Sequence, residues 1–171
     1  MSSHKHTVLS AKIIVEELKK QGITHIVGLP DNGSRVLFEL LWETAEIEVI
    51  QVSREGEAFA IASGIYLGGK NPALLIQNTG FLESGDAFRG TVHNMRIPIL
   101  LLIGYRGYKT LIPGAPRVDS VATFLEPTLK AWDIPYSILT DHKEAEQISI
   151  GVKKAGDTSM PAAVLLAEET T

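Results

Sequence analysis

The chain is punctuated by six short apolar runs rich in Val, Ile and Leu, each followed or preceded by a longer segment with helical period. The runs are I-T-H-I-V-G (23–28), I-E-V-I-Q-V (47–52), P-A-L-L-I-Q-N (72–78), I-P-I-L-L-L-I-G (97–104), P-Y-S-I-L (135–139) and P-A-A-V-L-L-A (161–167). Several are apolar at nearly every position, so a strand made from them is buried on both faces, as in a parallel sheet covered by helices. The intervening segments supply those helices. Ser10 stands where it can cap A-K-I-I-V-E-E-L-K-K-Q, and Gly22 where it can end it. Further helical patterns occupy 34–45, 55–68, 82–94, 119–131 and 142–155. The alternation predicts an α/β three-layer sandwich: a six-stranded parallel sheet flanked by helices, with right-handed crossovers. With 171 residues the chain can bury one sizeable core, so a single domain over 1–171 is expected, with 1–7 as a flexible tail.

Composition removes several classes of function. There is no cysteine, hence no disulfide, thiol nucleophile or thiolate metal site. A net charge of −4 gives no reason to expect a nucleic-acid or membrane partner. The N-terminus M-S-S-H-K-H-T lacks the apolar core of a secretory signal, and P-I-L-L-L-I-G is strand-length, far short of a membrane span. A cytoplasmic protein is the expectation.

In an open parallel sheet, ligands bind beyond the carboxyl ends of the strands. That rule selects G-L-P-D-N-G-S-R (28–35), S-R-E-G (53–56), Q-N-T-G-F (77–81) and the long irregular stretch 105–119. G-L-P-D-N-G-S has P-loop-like glycine spacing, but Ser34 occupies the lysine position, and no G-x-G-x-x-G or G-x-S-x-G is present. His4 and His6 fall in the tail, while His25, His93 and His142 are scattered, so no metal site is expected. Arg54, Arg89, Arg106, Lys109 and Arg117 lie near the strand ends. Singly they read as solvated charges; as a group they suit an anionic substrate.

The segment R-E-G-E-A-F-A-I-A-S-G (54–64) carries the sharpest question. Acidic residues in a first helical turn favour the helix dipole, which would account for both Glu55 and Glu57. A carboxyl group at a strand-to-helix junction is also placed where α/β proteins put their chemistry. The residues alone leave both readings open.

The spacing Glu55, Ala58, Ala62, Gly64 resembles the E-x-x-A-x-x-x-A-x-G pattern of the pyrimidine-binding (PYR) domain of thiamine diphosphate enzymes. G-I-T-H-I-V-G-L-P-D (22–31) resembles the opening strand and G-x-P turn of that family. G-G-K-N-P-A-L-L-I-Q-N-T-G (68–80) is similar to its third strand and Q-N-[ST]-G turn, and I-P-I-L-L-L-I-G-Y-R-G (97–107) to its fourth strand and exit. The likeness runs in order from about residue 8 to 167. The turn sequences resemble phosphonopyruvate and sulfopyruvate decarboxylases more than acetolactate synthases.

The resemblance implies a lyase that decarboxylates a 2-oxo acid with thiamine diphosphate. It makes Glu55 the catalytic acid, hydrogen-bonded to the aminopyrimidine ring, and Glu57 a surface residue. Pro30, Gln77, Asn78, Thr79 and Gly80 become cofactor neighbours, and Asp31, Asn32, His93 and Arg106 candidate substrate neighbours. Asp31 is one residue short of the offset in the G-x-P-G-D pattern of yeast-type pyruvate decarboxylases. The family binds the diphosphate through Mg2+ on a second (PP) domain marked by G-D-G; here G-D occurs only in G-D-A (85–87) and G-D-T (156–158). The expectation is therefore half an active site, completed by a separate PP-domain β subunit that holds Mg2+. Sulfopyruvate decarboxylases are built in this way, and this implies conversion of sulfopyruvate to sulfoacetaldehyde and carbon dioxide in a hetero-oligomer. The alternatives are a split decarboxylase for phosphonopyruvate or another 3-substituted pyruvate, and a PYR-like scaffold or regulatory module without catalysis.

Overall fold

The structure is a computed structural model that describes residues 8–171. The expected tail at 1–7, with His4 and His6, lies outside the described residues. The six apolar runs all form strands: β1 (His25–Gly28), β2 (Glu48–Gln51), β3 (Pro72–Gln77), β4 (Leu100–Gly104), β5 (Tyr136–Leu139) and β6 (Ala162–Leu166). They pair in parallel in the order β2-β1-β3-β4-β6-β5. The most uniformly apolar runs take the middle: β6 is buried throughout, and β3 and β4 at all but the last residue, whereas β2 and β5 are half-exposed edges.

Alternation along the central strands feeds two cores. Ile26, Leu75, Leu102 and Val164 face α1 (Ala11–Lys20), α2 (Arg35–Trp42) and α7 (Glu146–Thr158). Val27, Leu74, Ile103 and Leu165 face α3 (Glu55–Leu67), α4 (Asn78–Glu83) and α6 (Ser120–Ala131). The expected three-layer sandwich is thus the observed fold, and its period of two is read on both faces. Ser10 caps α1 as expected, its hydroxyl accepting from the Ile13 amide at 3.5 Å. Among the described residues, no helix is long and apolar enough to cross a membrane.

Three segments depart from the sequence expectation. The anticipated loop at 77–81 does not exist, because α4 starts at Asn78 directly on the end of β3. The helix expected at 82–94 is instead α4, then α5 (Gly85–Ala87), then a π-helical turn at Phe88–His93. Ser84 explains the first break: its hydroxyl donates back to the Gly80 carbonyl at 2.5 Å, a bond that bends helices. The third departure is at 142–155, where a short 3-10 turn over His142–Glu144 precedes α7.

The sheet order reverses at β1, whose successor β2 lies on one side and β3 on the other. This is the topological switch point, and the crevice beyond the ends of β1 and β3 is the place for a ligand.

Candidate active site

Glu55 is the first residue of α3, immediately beyond the end of β2. The helix start is stabilised without it. Glu57 folds back so that its Oε2 accepts from the backbone amides of Ser53 (3.0 Å) and Arg54 (3.3 Å). That is half of a capping box, and it frees Glu55 from helix-capping duty. Among the described residues the Glu55 carboxylate accepts no hydrogen bond, and it lies half-buried against Gly80. A Cβ on Gly80 would sit 2.0 Å from Glu55 Cδ and 2.2 Å from Cγ and Oε1. Gly80 has no positive φ, so the glycine is required by space and not by backbone conformation. The Q-N-T-G turn and the glutamate therefore form one constellation: the glycine opens the volume that the carboxylate occupies.

The rest of the turn is divided. The Thr79 hydroxyl donates to Gln77 Oε1 at 2.8 Å, which fixes the orientation of the Gln77 amide. Asn78 is 0% exposed; its Nδ2 donates to the Arg106 carbonyl at 2.9 Å, and its buried Oδ1 has no partner among the described residues. Asn78 thus holds the loop after β4 and presents no surface to a ligand, unlike its expected place beside the cofactor.

A cleft of about 740 Å³ opens beyond the carboxyl ends of β1, β3, β4 and β6. It brings together the expected residues Asp31, Asn32, Gln77 and Arg106. Pro30, Thr79 and Glu55 are not in its lining; Glu55 stands one helical turn away, at Gly80. Asp31 has a structural duty there. Its Oδ1 accepts from the amides of Gly33 (2.7 Å) and Ser34 (3.3 Å), and its Oδ2 accepts from the Ser34 hydroxyl at 2.9 Å. Such a side-chain turn ahead of α2 is the habitual use of aspartate at this kind of junction.

His93 does not reach this cleft. It ends the π-helical turn and lines a separate hollow with Phe88 and Trp132. The basic group also dissolves. Arg54 pairs with Glu83, Arg89 pairs with Asp86 beside His93, and Arg117 is exposed outside the cleft. Only Arg106 and Lys109 line the cleft, and acidic residues accompany both. Lys109 Nζ is 2.5 Å from Glu168 Oε2, and Arg106 Nε is 3.3 Å from Asp119 Oδ2.

Sequence reasoning missed Glu168 and Glu169, which enter the cleft straight after β6. The carboxyl-end rule, applied to the sixth apolar run as to the others, would have found them. They are fixed because Thr170 donates its amide to the Gly33 carbonyl at 2.9 Å and accepts the Leu37 amide on its hydroxyl at 3.3 Å. A second unit that pattern reading could not find buttresses the cleft wall. The Tyr105 hydroxyl lies 3.0 Å from Glu126 Oε1, and the Tyr136 hydroxyl lies 2.5 Å from Glu126 Oε2. Burial first, and the hydrogen bond to Glu126 second, push both phenols up, Tyr136 to about 12. Among the described residues no cluster of three or more His, Asp or Glu side chains is placed to hold a metal ion.

Comparison with known proteins supplies the family. Residues 10–115 match the family model described as thiamine pyrophosphate enzyme, N-terminal TPP binding domain. The chain is 32% identical over 153 residues to the sulfopyruvate decarboxylase subunit alpha of Methanocaldococcus jannaschii, covering 89% of each chain. It is 27% identical over 161 residues to the subunit of that name from Methanococcus maripaludis, covering 92% of this chain and 93% of the relative. A phosphonopyruvate decarboxylase of Streptomyces viridochromogenes is 28% identical over 137 residues, which is 78% of this chain and 34% of that longer protein. The matched region holds the turn after β1, Glu55, the Gln77–Gly80 turn and the exit of β4, all on the ligand-binding edge of a parallel sheet. On both counts, the chain belongs to the thiamine pyrophosphate enzyme family as its N-terminal TPP binding domain.

Proposed function

We propose that the chain is the PYR subunit of a thiamine diphosphate-dependent 2-oxo acid decarboxylase that converts sulfopyruvate to sulfoacetaldehyde and carbon dioxide. The observation that carries this reading is the Glu55 carboxylate, held over Gly80 without a hydrogen-bond partner among the described residues at the ligand edge of the sheet. A carboxyl group so placed fits an aminopyrimidine: it can share a proton with a weakly basic ring nitrogen, while Gln77, braced by Thr79, offers an oriented amide on the cleft. When bound, thiamine diphosphate supplies the electron sink for loss of carbon dioxide. This chain's part is positional and protonic. Glu55 holds a proton at its carboxyl oxygen, Gly80 keeps room for it, Glu57 relieves it of capping, and Asp31 fixes the turn that borders the cleft.

The name "subunit alpha" of the relatives supports a partner, and the phosphonopyruvate decarboxylase relative is about three times as long as the matched region. The proposal assigns diphosphate and Mg2+ binding to a separate PP-domain subunit, places the complex in the cytoplasm, and treats 1–171 as one PYR domain. The phosphonopyruvate decarboxylase relative favours one second reading, a split enzyme for phosphonopyruvate.

The test is reconstitution with a PP-type subunit, Mg2+ and thiamine diphosphate, followed by assay of carbon dioxide release. Glu55→Gln should lower kcat by about 10²- to 10⁴-fold, the usual contribution of a positioned proton-transfer group. Full activity in Glu55→Ala would remove Glu55 from catalysis, and turnover by this chain alone would remove the split site. The kcat/KM values for sulfopyruvate, phosphonopyruvate and pyruvate decide the substrate, because specificity is their ratio.

A further inference from the structure

We infer that Arg106 is the seat for the second acidic group of the substrate, a singly charged oxyanion on the carbon next to the 2-oxo group; this rests on the decarboxylase reading. Two cations line the cleft, and the geometry separates them. Lys109 is engaged: its ammonium is 2.5 Å from Glu168, whose side chain is only 16% exposed, so an incoming anion would compete with a close, half-buried carboxylate. Arg106 is engaged on one edge alone. Its Nε faces Asp119 at 3.3 Å, and among the described residues neither Nη1 nor Nη2 donates a hydrogen bond. The guanidinium therefore offers its end-on pair of parallel N–H groups, a fork that matches two oxygens of a carboxylate, sulfonate or phosphonate.

The backbone that carries the fork is anchored. The Arg106 carbonyl accepts from the sealed Asn78 amide at 2.9 Å, and the preceding Tyr105 amide donates to the Leu166 carbonyl at 2.8 Å. Gly107 has φ 84°, and a Cβ there would lie 2.8 Å from Asp119 Cβ. Glycine at this position is what lets Asp119 approach and hold Nε. Asn78 and Asp119 are accordingly positioning residues for Arg106.

Charge narrows the ligand. With Lys109 paired to Glu168, and Asp31 and Glu169 also on the cleft, one guanidinium faces a surround that is otherwise acidic. Arg106 itself shares its Nε edge with Asp119, so a sulfonate, with one negative charge, is the lighter load for this surround. A phosphonate near neutral pH approaches two, and its second charge would meet the carboxylates.

The experiment uses the complex with its PP-type subunit, Mg2+ and thiamine diphosphate, with Arg106→Gln and Arg106→Lys beside the wild type. Arg106→Gln should lower kcat/KM for sulfopyruvate relative to pyruvate by roughly 100-fold, chiefly through KM, the scale of a lost pair of charged hydrogen bonds. Arg106→Lys should recover part of that ratio, since it keeps the charge and loses the fork. Calorimetry on the same complex provides a readout independent of turnover. Wild type should bind 3-sulfopropanoate more tightly than 3-phosphonopropanoate and propanoate, and Arg106→Gln should lose that preference. Equal losses on all substrates, an unchanged ratio, or 3-sulfopropanoate binding indifferent to Arg106 would overturn the assignment. A complex that binds 3-sulfopropanoate through Arg106 yet decarboxylates none of the 2-oxo acids would sustain the anion seat and refute the decarboxylase reading.

Discussion

Replacing Gly80 by alanine tests the link between the turn and the glutamate, because it adds one methyl group where the Glu55 side chain now lies. The new Cβ would stand 2.0 Å from Glu55 Cδ. Ordinary carbon–carbon contact is about 3.5–4.0 Å, so the carboxyl must retreat by roughly 1.5 Å. The obstacle is the end of a flexible side chain, so rotation of Glu55 relieves it and the fold need not open. The strain of an off-rotamer glutamate, about 0.5–1.5 kcal/mol, opposes a helix-propensity gain of about 1 kcal/mol for alanine over glycine within α4. Stability should therefore change little, by a Tm shift of no more than about 4 °C. Activity should not survive so well: a displacement of about 1 Å in a reacting group costs on the order of 100-fold. In the reconstituted complex, kcat/KM of Gly80→Ala should fall by about that factor while thermal unfolding followed by circular dichroism stays near wild type. The decisive comparison is the Glu55→Gln background, where the carboxyl group is already gone. There Gly80→Ala should cost less than about threefold, a departure from additivity expected of groups in contact. An equal cost in both backgrounds, or an active Gly80→Ala enzyme, would refute the claim that this glycine exists to make room for the glutamate.

Three other outcomes follow from the geometry. Glu57→Ala removes the acceptor of the Ser53 and Arg54 amides and should lower stability by about 1 kcal/mol in denaturant unfolding, with kcat within a few-fold of wild type; Glu55→Gln should show the reverse pattern. Asp31→Asn retains an acceptor for the Gly33 and Ser34 amides and can donate to the Ser34 hydroxyl, so its melting temperature should hold; a selective fall in kcat would then assign Asp31 a proton-transfer role, and an unchanged kcat would confine it to the turn. The phenols of buried Tyr105 and half-buried Tyr136 are pushed up by desolvation and by Glu126, so the folded state keeps protons that the unfolded chain loses near the ordinary tyrosine value of about 10. Their stabilising contribution is complete below about pH 10 and declines as pH rises toward 12, because unfolding then releases protons. Tm measured across that window should fall less steeply in Tyr136→Phe than in wild type, and an unchanged slope would argue against the linkage.

The site was only partly legible from the chain. Glu55 and the Gln77–Gly80 turn could be singled out because they sit at strand ends in a recognisable spacing, but their joint geometry could not. That Gly80 lies under Glu55 depends on α4 starting directly on β3, where pattern reading expected a loop. Asn78 illustrates the limit: a polar residue beside a binding turn reads as a ligand contact, yet it is sealed and holds the Arg106 carbonyl from below. His93, implied as a substrate neighbour, ends the π-helical turn and lines a hollow of its own, a placement that depends on how the broken helical stretch after β3 packs. The basic residues were counted as charges, whereas their availability depends on Glu83, Asp86, Glu168 and Asp119, partners set mostly by folding.

The sequence by itself determined the architecture. Six apolar runs, the most uniformly apolar of them buried on both faces, separated by helix-length segments, admit little besides a parallel sheet between two helical layers, because each local choice of period and cap favours the same layers. By residue type alone it left Glu55 and Glu57 undivided between capping and chemistry; the bonds that the Ser53 and Arg54 amides donate to Glu57 appear only once the chain is folded. Only the tertiary structure decided which side chains share a cleft and which charges remain available. Those properties arise from contacts between segments far apart in the chain, such as Asn78 with Arg106, Lys109 with Glu168 and Glu55 with Gly80. Periodicity encodes the face a residue occupies; it carries no information about the distance between two faces once they meet.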